Sequence, residues 1–239
     1  MRLSGVFWVT RFPASASLDD LEPGFQDCVR KFLDAISSAR AGLPNVVAIP
    51  NVHAGRAAPH GAARAHGLAG AGRAVDEVHA HPRYKINSTL RPAQRAYLMH
   101  YCWLIGRSKI NPADVPAYTP IGNQREPVDI EWLHLDPKGQ PDLAASWRAS
   151  LEMVNGFQIA GLRVAPALDS NHVHGQAIDM EISWHGDMDI LNASGSTIRI
   201  DTLPRDGTNH RLIEVGATYG VYHLRNVEAD RPHWSHDGR

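Results

Sequence analysis

At 239 residues, with 43% apolar and 21% charged residues, the chain can bury a full hydrophobic core and has the composition of an ordinary globular protein. A formal net charge of -1 at pH 7 provides no broad field of either sign, which argues against a general nucleic-acid binder or a protein held to membranes by charge. Its two cysteines, Cys28 and Cys102, lie among apolar residues in helical segments, which argues against a disulfide framework, and each thiol is expected to act as a small hydrophobe.

Near the start, Arg2 precedes a short apolar run from Val6 to Val9 that Thr10 and Arg11 interrupt. That run is far short of a signal-peptide core or a membrane span, so the expectation is synthesis in the cytoplasm without a membrane span. From about Asp20 to Ala41, Phe25, Cys28, Phe32 and Ile36 recur on one face before Gly42-Leu43-Pro44, which predicts a core-facing helix. Between 43 and 82 the chain turns to Ala, Gly, Arg and His with no sustained period, which predicts a flexible loop inserted into a single domain spanning 1–239. Its histidines (His53, His60, His66, His79 and His81) read as solvated rather than metal-binding. A second helix is predicted from Pro92 through Tyr97, Leu98, Cys102 and Ile105 to Gly106. A third is predicted from Asp142 to Val154, with Asp142 as its cap and Leu143, Trp147, Leu151 and Val154 at helical spacing. Strands are predicted at Val128 to Leu133, from about Gln176 to Ile182, and at Thr218 to Leu224. The fold class expected is α+β, a small and mainly antiparallel sheet with helices packed around it.

The chemistry concentrates in Ser170-Asn171-His172-Val173-His174-Gly175-Gln176-Ala177-Ile178-Asp179 and in Asp230-Arg231-Pro232-His233-Trp234. A catalytic zinc site takes three protein ligands from His and carboxylate side chains and keeps a place for water. A strand beginning near Gln176 puts Asp179 on the face of Ala177, whose small side chain leaves room for a metal. Gly175 lets the backbone turn so that His172 comes back alongside Asp179, and His233 supplies the third ligand from a distant segment. Asp230, three residues before His233, is the expected general base, since zinc lowers the pKa of its water to about 7 and a neighbouring carboxylate can take the proton.

These residues resemble the zinc D-Ala-D-Ala peptidases, whose superfamily also holds lysostaphin and the hedgehog signalling domain. The family signature, Ser/Thr-x-His-x-x-Gly-x-Ala-x-Asp, is met by Ser170, His172, Gly175, Ala177 and Asp179. Its second element, an acidic residue, two spacers and a His often followed by an aromatic, is matched by Asp230, His233 and Trp234 in the family order. The resemblance implies the hedgehog/D-Ala-D-Ala peptidase fold, a bound Zn2+ held by His172, Asp179 and His233, Asp230 as base, and a peptidoglycan peptide as substrate. It also implies an arginine for the substrate carboxylate or carbonyl oxyanion. Ser88-Thr89-Leu90-Arg91 partly matches that element, and Arg163 is an alternative nearer to His172.

Ser170, His174 and Trp234 are expected as substrate contacts or as neighbours that orient the ligands, and His223 is a further group that could line the site. Action on the wall would then follow lysis or non-classical export. The rival function is a zinc-stabilised, hedgehog-like binding module without hydrolysis. A fourth ligand would favour it, and His174 and His236 are the residues in position to supply one.

Overall fold

A computed structural model describes residues 2–42, 81–121 and 124–239. The elements run β1 (Arg2–Leu3), α1 (Phe7–Arg11), α2 (Pro23–Ser38), β2 (Arg40–Gly42), β3 (Arg83–Ser88), α3 (Ala93–Gly106), β4 (Ile130–Glu131), α4 (Leu143–Gly156), β5 (Ala177–Ser183), β6 (Asp187–Leu191), β7 (Thr197–Ile200), α5 (His210–Thr218), β8 (Tyr222–His223) and β9 (His233–Ser235). Helices and small antiparallel sheets are thus mixed along the chain, as the composition of its segments predicted. The loop predicted at 43–82 lies outside the described residues except for its last two positions.

Two antiparallel sheets share one core. β5 alternates strictly, so Ile178, Met180 and Ile182 face inward while Asp179 and Glu181 take the other face. The inward set packs with Phe25, Val29, Phe32, Leu33 and Ile36 of α2 and with Leu212 and Val215 of α5. In the four-stranded sheet the order is β3-β5-β9-β8, and β2-β6-β7 form a three-stranded companion whose Met188, Ile190 and Ile200 enter the same core. α2 starts where the sequence places it: Pro23 occupies its first turn and Glu22 caps it by accepting from the Phe25 amide at 3.0 Å.

A second core forms around Trp8, Phe12, Leu98, Trp103, Trp132, Met153 and Phe157, and draws on α1, α3 and α4. The α3 and α4 boundaries agree with the sequence, including the Asp142 carboxylate that accepts from the Ala145 amide at 2.8 Å. The predicted strand at Val128 to Leu133 is reduced to the two residues of β4, which pair in parallel with β1. Val128, Ile130 and Trp132 still alternate inward, but β1 is too short a partner to extend the ladder.

The strand predicted at Thr218 to Leu224 is corrected more strongly. Thr218 closes α5, which the Asn209 side chain caps from the Arg211 and Leu212 amides, and Gly220 then turns at φ +80°. Only Tyr222 and His223 remain extended. Among the described residues no helix is long and apolar enough to cross a membrane.

Candidate metal centre

The site is assembled by strand register and one tight turn. Asp179 on β5 lies directly opposite His233 on β9 in the antiparallel ladder, with Ala177 opposite Ser235 two residues away on the same face. Before β5, Asn171–His174 make one turn of 3₁₀ helix, and Gly175 reverses the chain at φ +66°. A Cβ added there would come within 2.8 Å of the Asp20 carbonyl oxygen and 3.0 Å of the Glu22 nitrogen, where the segment leading into α2 passes over the turn. Gly175→Ala is therefore expected to cost at least about 2 kcal/mol, from the left-handed backbone and the clash together, as read by urea unfolding.

The three side chains converge. His172 Nε2 stands 3.1 Å from Asp179 Oδ1 and 3.2 Å from His233 Nδ1, and His233 Nδ1 is 3.2 Å from the same carboxylate oxygen. The outer ring nitrogens fix the tautomers. His172 Nδ1 lies 2.9 Å from the carbonyl of the buried Thr89, and His233 Nε2 lies 3.1 Å from the Arg239 main-chain oxygen. Main-chain oxygens only accept, so both outer nitrogens donate, and in the neutral imidazoles both inner nitrogens carry lone pairs.

Three acceptor atoms thus point at one another in a buried place, which is stable only with positive charge at their centre. His172, Asp179 and His233 form a group that could hold a metal ion, and among the described residues no fourth side chain joins them. Without metal the group draws in a proton. Burial alone would lower the His233 imidazole, but hydrogen bonding and attraction to Asp179 outweigh it and raise its pKa. The Asp179 carboxyl is driven the other way: burial opposes ionisation, yet the two histidines hold it far below the ordinary carboxylate range.

Around the group, Ser170, Asn171, His174, Gln176, Asp230, His233 and His236 line a cleft of about 590 Å³. Asp230 stands on its exposed wall, its carboxyl raised by partial burial and then by the charge of Asp179. Arg91 is partly buried; desolvation lowers its guanidinium pKa, while the charges of Asp179 and Asp230 act to raise it. Of the two arginines, Arg91 is thus the one within electrostatic reach of both carboxylates, and it lies behind the cleft rather than among its lining residues. Arg163 is exposed and is not among the charged neighbours of either.

The long separation of Arg91 from His172 also has a structural cause. After Arg91 the chain leaves for the second core through α3 and α4, then returns so that the Arg91 amide donates to the His172 carbonyl at 3.0 Å. A register shift between Ile86 and Ser88, with Ser88 opposite Asp179, aims the end of β3 at the site.

Other expected residues divide. The Ser170 hydroxyl lines the cleft, is buried and has no hydrogen-bond partner. His174 stands at the rim with Nε2 2.6 Å from Asp169, outside the ligand group, and His236 also lines the cleft without joining that group. The expectation that Trp234 contacts substrate is corrected. Alternation along β9 sends its indole away from the His233 face into the core, fully buried, 5.4 Å from the Phe32 ring and 4.8 Å from that of His223. His223 is on that side too, so it does not line the cleft.

Sequence reasoning missed Thr89 and the Arg239 main-chain oxygen, the two acceptors that orient the ligand histidines. Each acts through the main chain, which leaves no signature in residue type. Comparison of the chain with models of known protein families, with curated proteins and with solved structures finds no match.

Proposed function

We propose that the chain is a zinc-dependent peptidoglycan peptidase of the hedgehog/D-Ala-D-Ala peptidase type, which hydrolyses an amide bond of a wall stem peptide or cross-link. The observation that carries this reading is the convergence of His172 Nε2, Asp179 Oδ1 and His233 Nδ1 beside Asp230. In a tetrahedral site with bonds of about 2.0–2.1 Å, ligand atoms stand about 3.3 Å apart, so the separations of 3.1–3.2 Å suit zinc with little rearrangement. Two histidines, one carboxylate and no fourth side chain among the described residues favour a catalytic site over a closed structural one.

When bound, zinc would supply a Lewis acid that polarises a carbonyl and acidifies water. Asp230 would take a proton from the attacking water and return it to the leaving amine, a task open to a carboxylate that lines the cleft together with His233. Arg91 would pair with a peptide carboxylate or a developing oxyanion, where a planar cation in a partly desolvated site is most effective. The cleft is polar-walled and large enough for a short peptide.

The test is digestion of purified peptidoglycan by the zinc-loaded protein, with the released fragments read by mass spectrometry. One zinc per chain and peptide fragments are expected, and their masses name the bond cut. Stoichiometric zinc without any released peptide would replace this reading with the non-hydrolytic binding module.

A further inference from the structure

We infer that Arg231 is a positioning residue for Asp230, an inference that rests on the peptidase reading above. The two neighbours project to opposite sides. Asp230 lines the cleft beside His233, whereas Arg231 and Pro232 line a separate cavity of about 280 Å³ with Met180, Asp206 and Thr208.

In that cavity the guanidinium is held at several points. Nη2 donates to Asp206 Oδ2 at 3.1 Å and to Thr208 Oγ1 at 3.3 Å, and Nη1 lies 3.4 Å from both carboxylate oxygens of Glu228. The anchor is itself fixed. Asp206 Oδ1 accepts from the Thr208 amide at 2.9 Å and from its hydroxyl at 2.5 Å, and Asp206 bridges to Ser183 at the end of β5. Asn209, fully buried, donates to the Thr202 and Pro204 carbonyls and caps α5, which locks the segment bearing Asp206.

The main chain beside Arg231 is tied as well. His223 Nε2 lies 2.9 Å from the Arg231 carbonyl, and the Met180 amide donates to the Pro232 carbonyl at 2.8 Å. The two residues that follow Asp230 are therefore fastened to β8, to β5 and to the approach to α5. On its other side the segment from Arg225 to Ala229 is mostly exposed.

A half-exposed arginine in ion pairs contributes little to global stability. Its consequence is geometric, because a misplacement of about 1 Å in a reacting group can cost on the order of a hundredfold in rate. The His233 ring does not depend on the Arg231 guanidinium, since the β5 ladder and the Arg239 oxygen hold it.

The experiment compares Arg231→Met, Arg231→Lys, Asp206→Asn and the Arg231→Met/Asp206→Asn double variant of the zinc-loaded protein on a soluble wall peptide. Arg231→Met should keep its zinc content and thermal midpoint, lose at least about tenfold in kcat with KM within about twofold, and recover in part as Arg231→Lys. Asp206→Asn should lose kcat similarly, and the double variant should be no slower than the slower single one, as expected of two parts of one clamp. An active wild type with Arg231→Met within about twofold of it in kcat, losses that multiply in the double variant, or zinc lost from Arg231→Met would each overturn the positioning role. A wild type that binds zinc and cleaves no wall peptide would instead sink the peptidase reading, and this inference with it.

Discussion

Asp230→Asn should bind zinc as the wild type does and release wall peptides about a thousandfold more slowly, within the range attributable to one general acid–base group. The substitution keeps the shape of the side chain and touches none of the three converging ligand atoms. Asp230 stands on the exposed cleft wall and its main-chain carbonyl accepts from the His233 amide at 3.2 Å, a bond that asparagine preserves. What is lost is a group able to hold a proton between the attack and the departure of the amine. The wild type should lose rate as pH falls and the Asp230 carboxylate is protonated. With zinc kept saturating across the range, Asp230→Asn should lack that limb. Elemental analysis, fragment release by mass spectrometry and a pH–rate profile together check the expectation; retention of more than a tenth of wild-type turnover would remove Asp230 from the chemistry.

Local patterns carried the site further than they carried the fold. The alternation of Ala177 to Ile182 and the glycine at 175 state a strand and a turn in adjacent residues, and these place His172 and Asp179 together. The partnership of Asp179 with His233 is a long-range register, and the sequence indicated it only through the order of two motifs. By contrast, α5 was not foreseen and the strand expected at Thr218 to Leu224 was overextended, because that stretch is rich in aromatic and branched residues while the helix signal, the Asn209 cap, lies nine residues earlier. Trp234 was misplaced for a related reason. Neighbours in a strand face opposite ways, so the residue beside a ligand is the one least able to share its cleft, and the bulk of Phe32 receives it instead. The hairpin of β6 and β7 was not foreseen, although Asn192 and Gly195 make its turn, because its apolar residues only make sense against the α2 face that they cover. The second core, and with it the long excursion between Arg91 and His172, depends on contacts among α1, α3 and α4 that no short window contains.

Zinc should raise the thermal midpoint by about 10 °C, and the rise should grow with pH. Metal that binds only the folded chain stabilises it by about 4 kcal/mol when present a thousandfold above its dissociation constant. For a chain of this size, each kcal/mol moves the midpoint by about 2–4 °C. The pH dependence follows from the proton that the metal must displace. His233 has a raised pKa in the metal-free fold, so its contribution there is complete below the unfolded value and fades as pH rises through the folded one. The metal-free protein therefore loses this support toward alkaline pH. Zinc, competing with fewer protons, binds more tightly over the same interval. The two trends open a gap between metal-free and zinc-loaded midpoints that should be wider at pH 8 than at pH 6, as read by calorimetry with and without chelator. His172→Gln, which removes one of the three converging lone pairs, should abolish the zinc-dependent rise at both values of pH. A rise that persists in His172→Gln would place the metal elsewhere, and a gap that narrows with pH would mean that His233 does not exchange a proton for it.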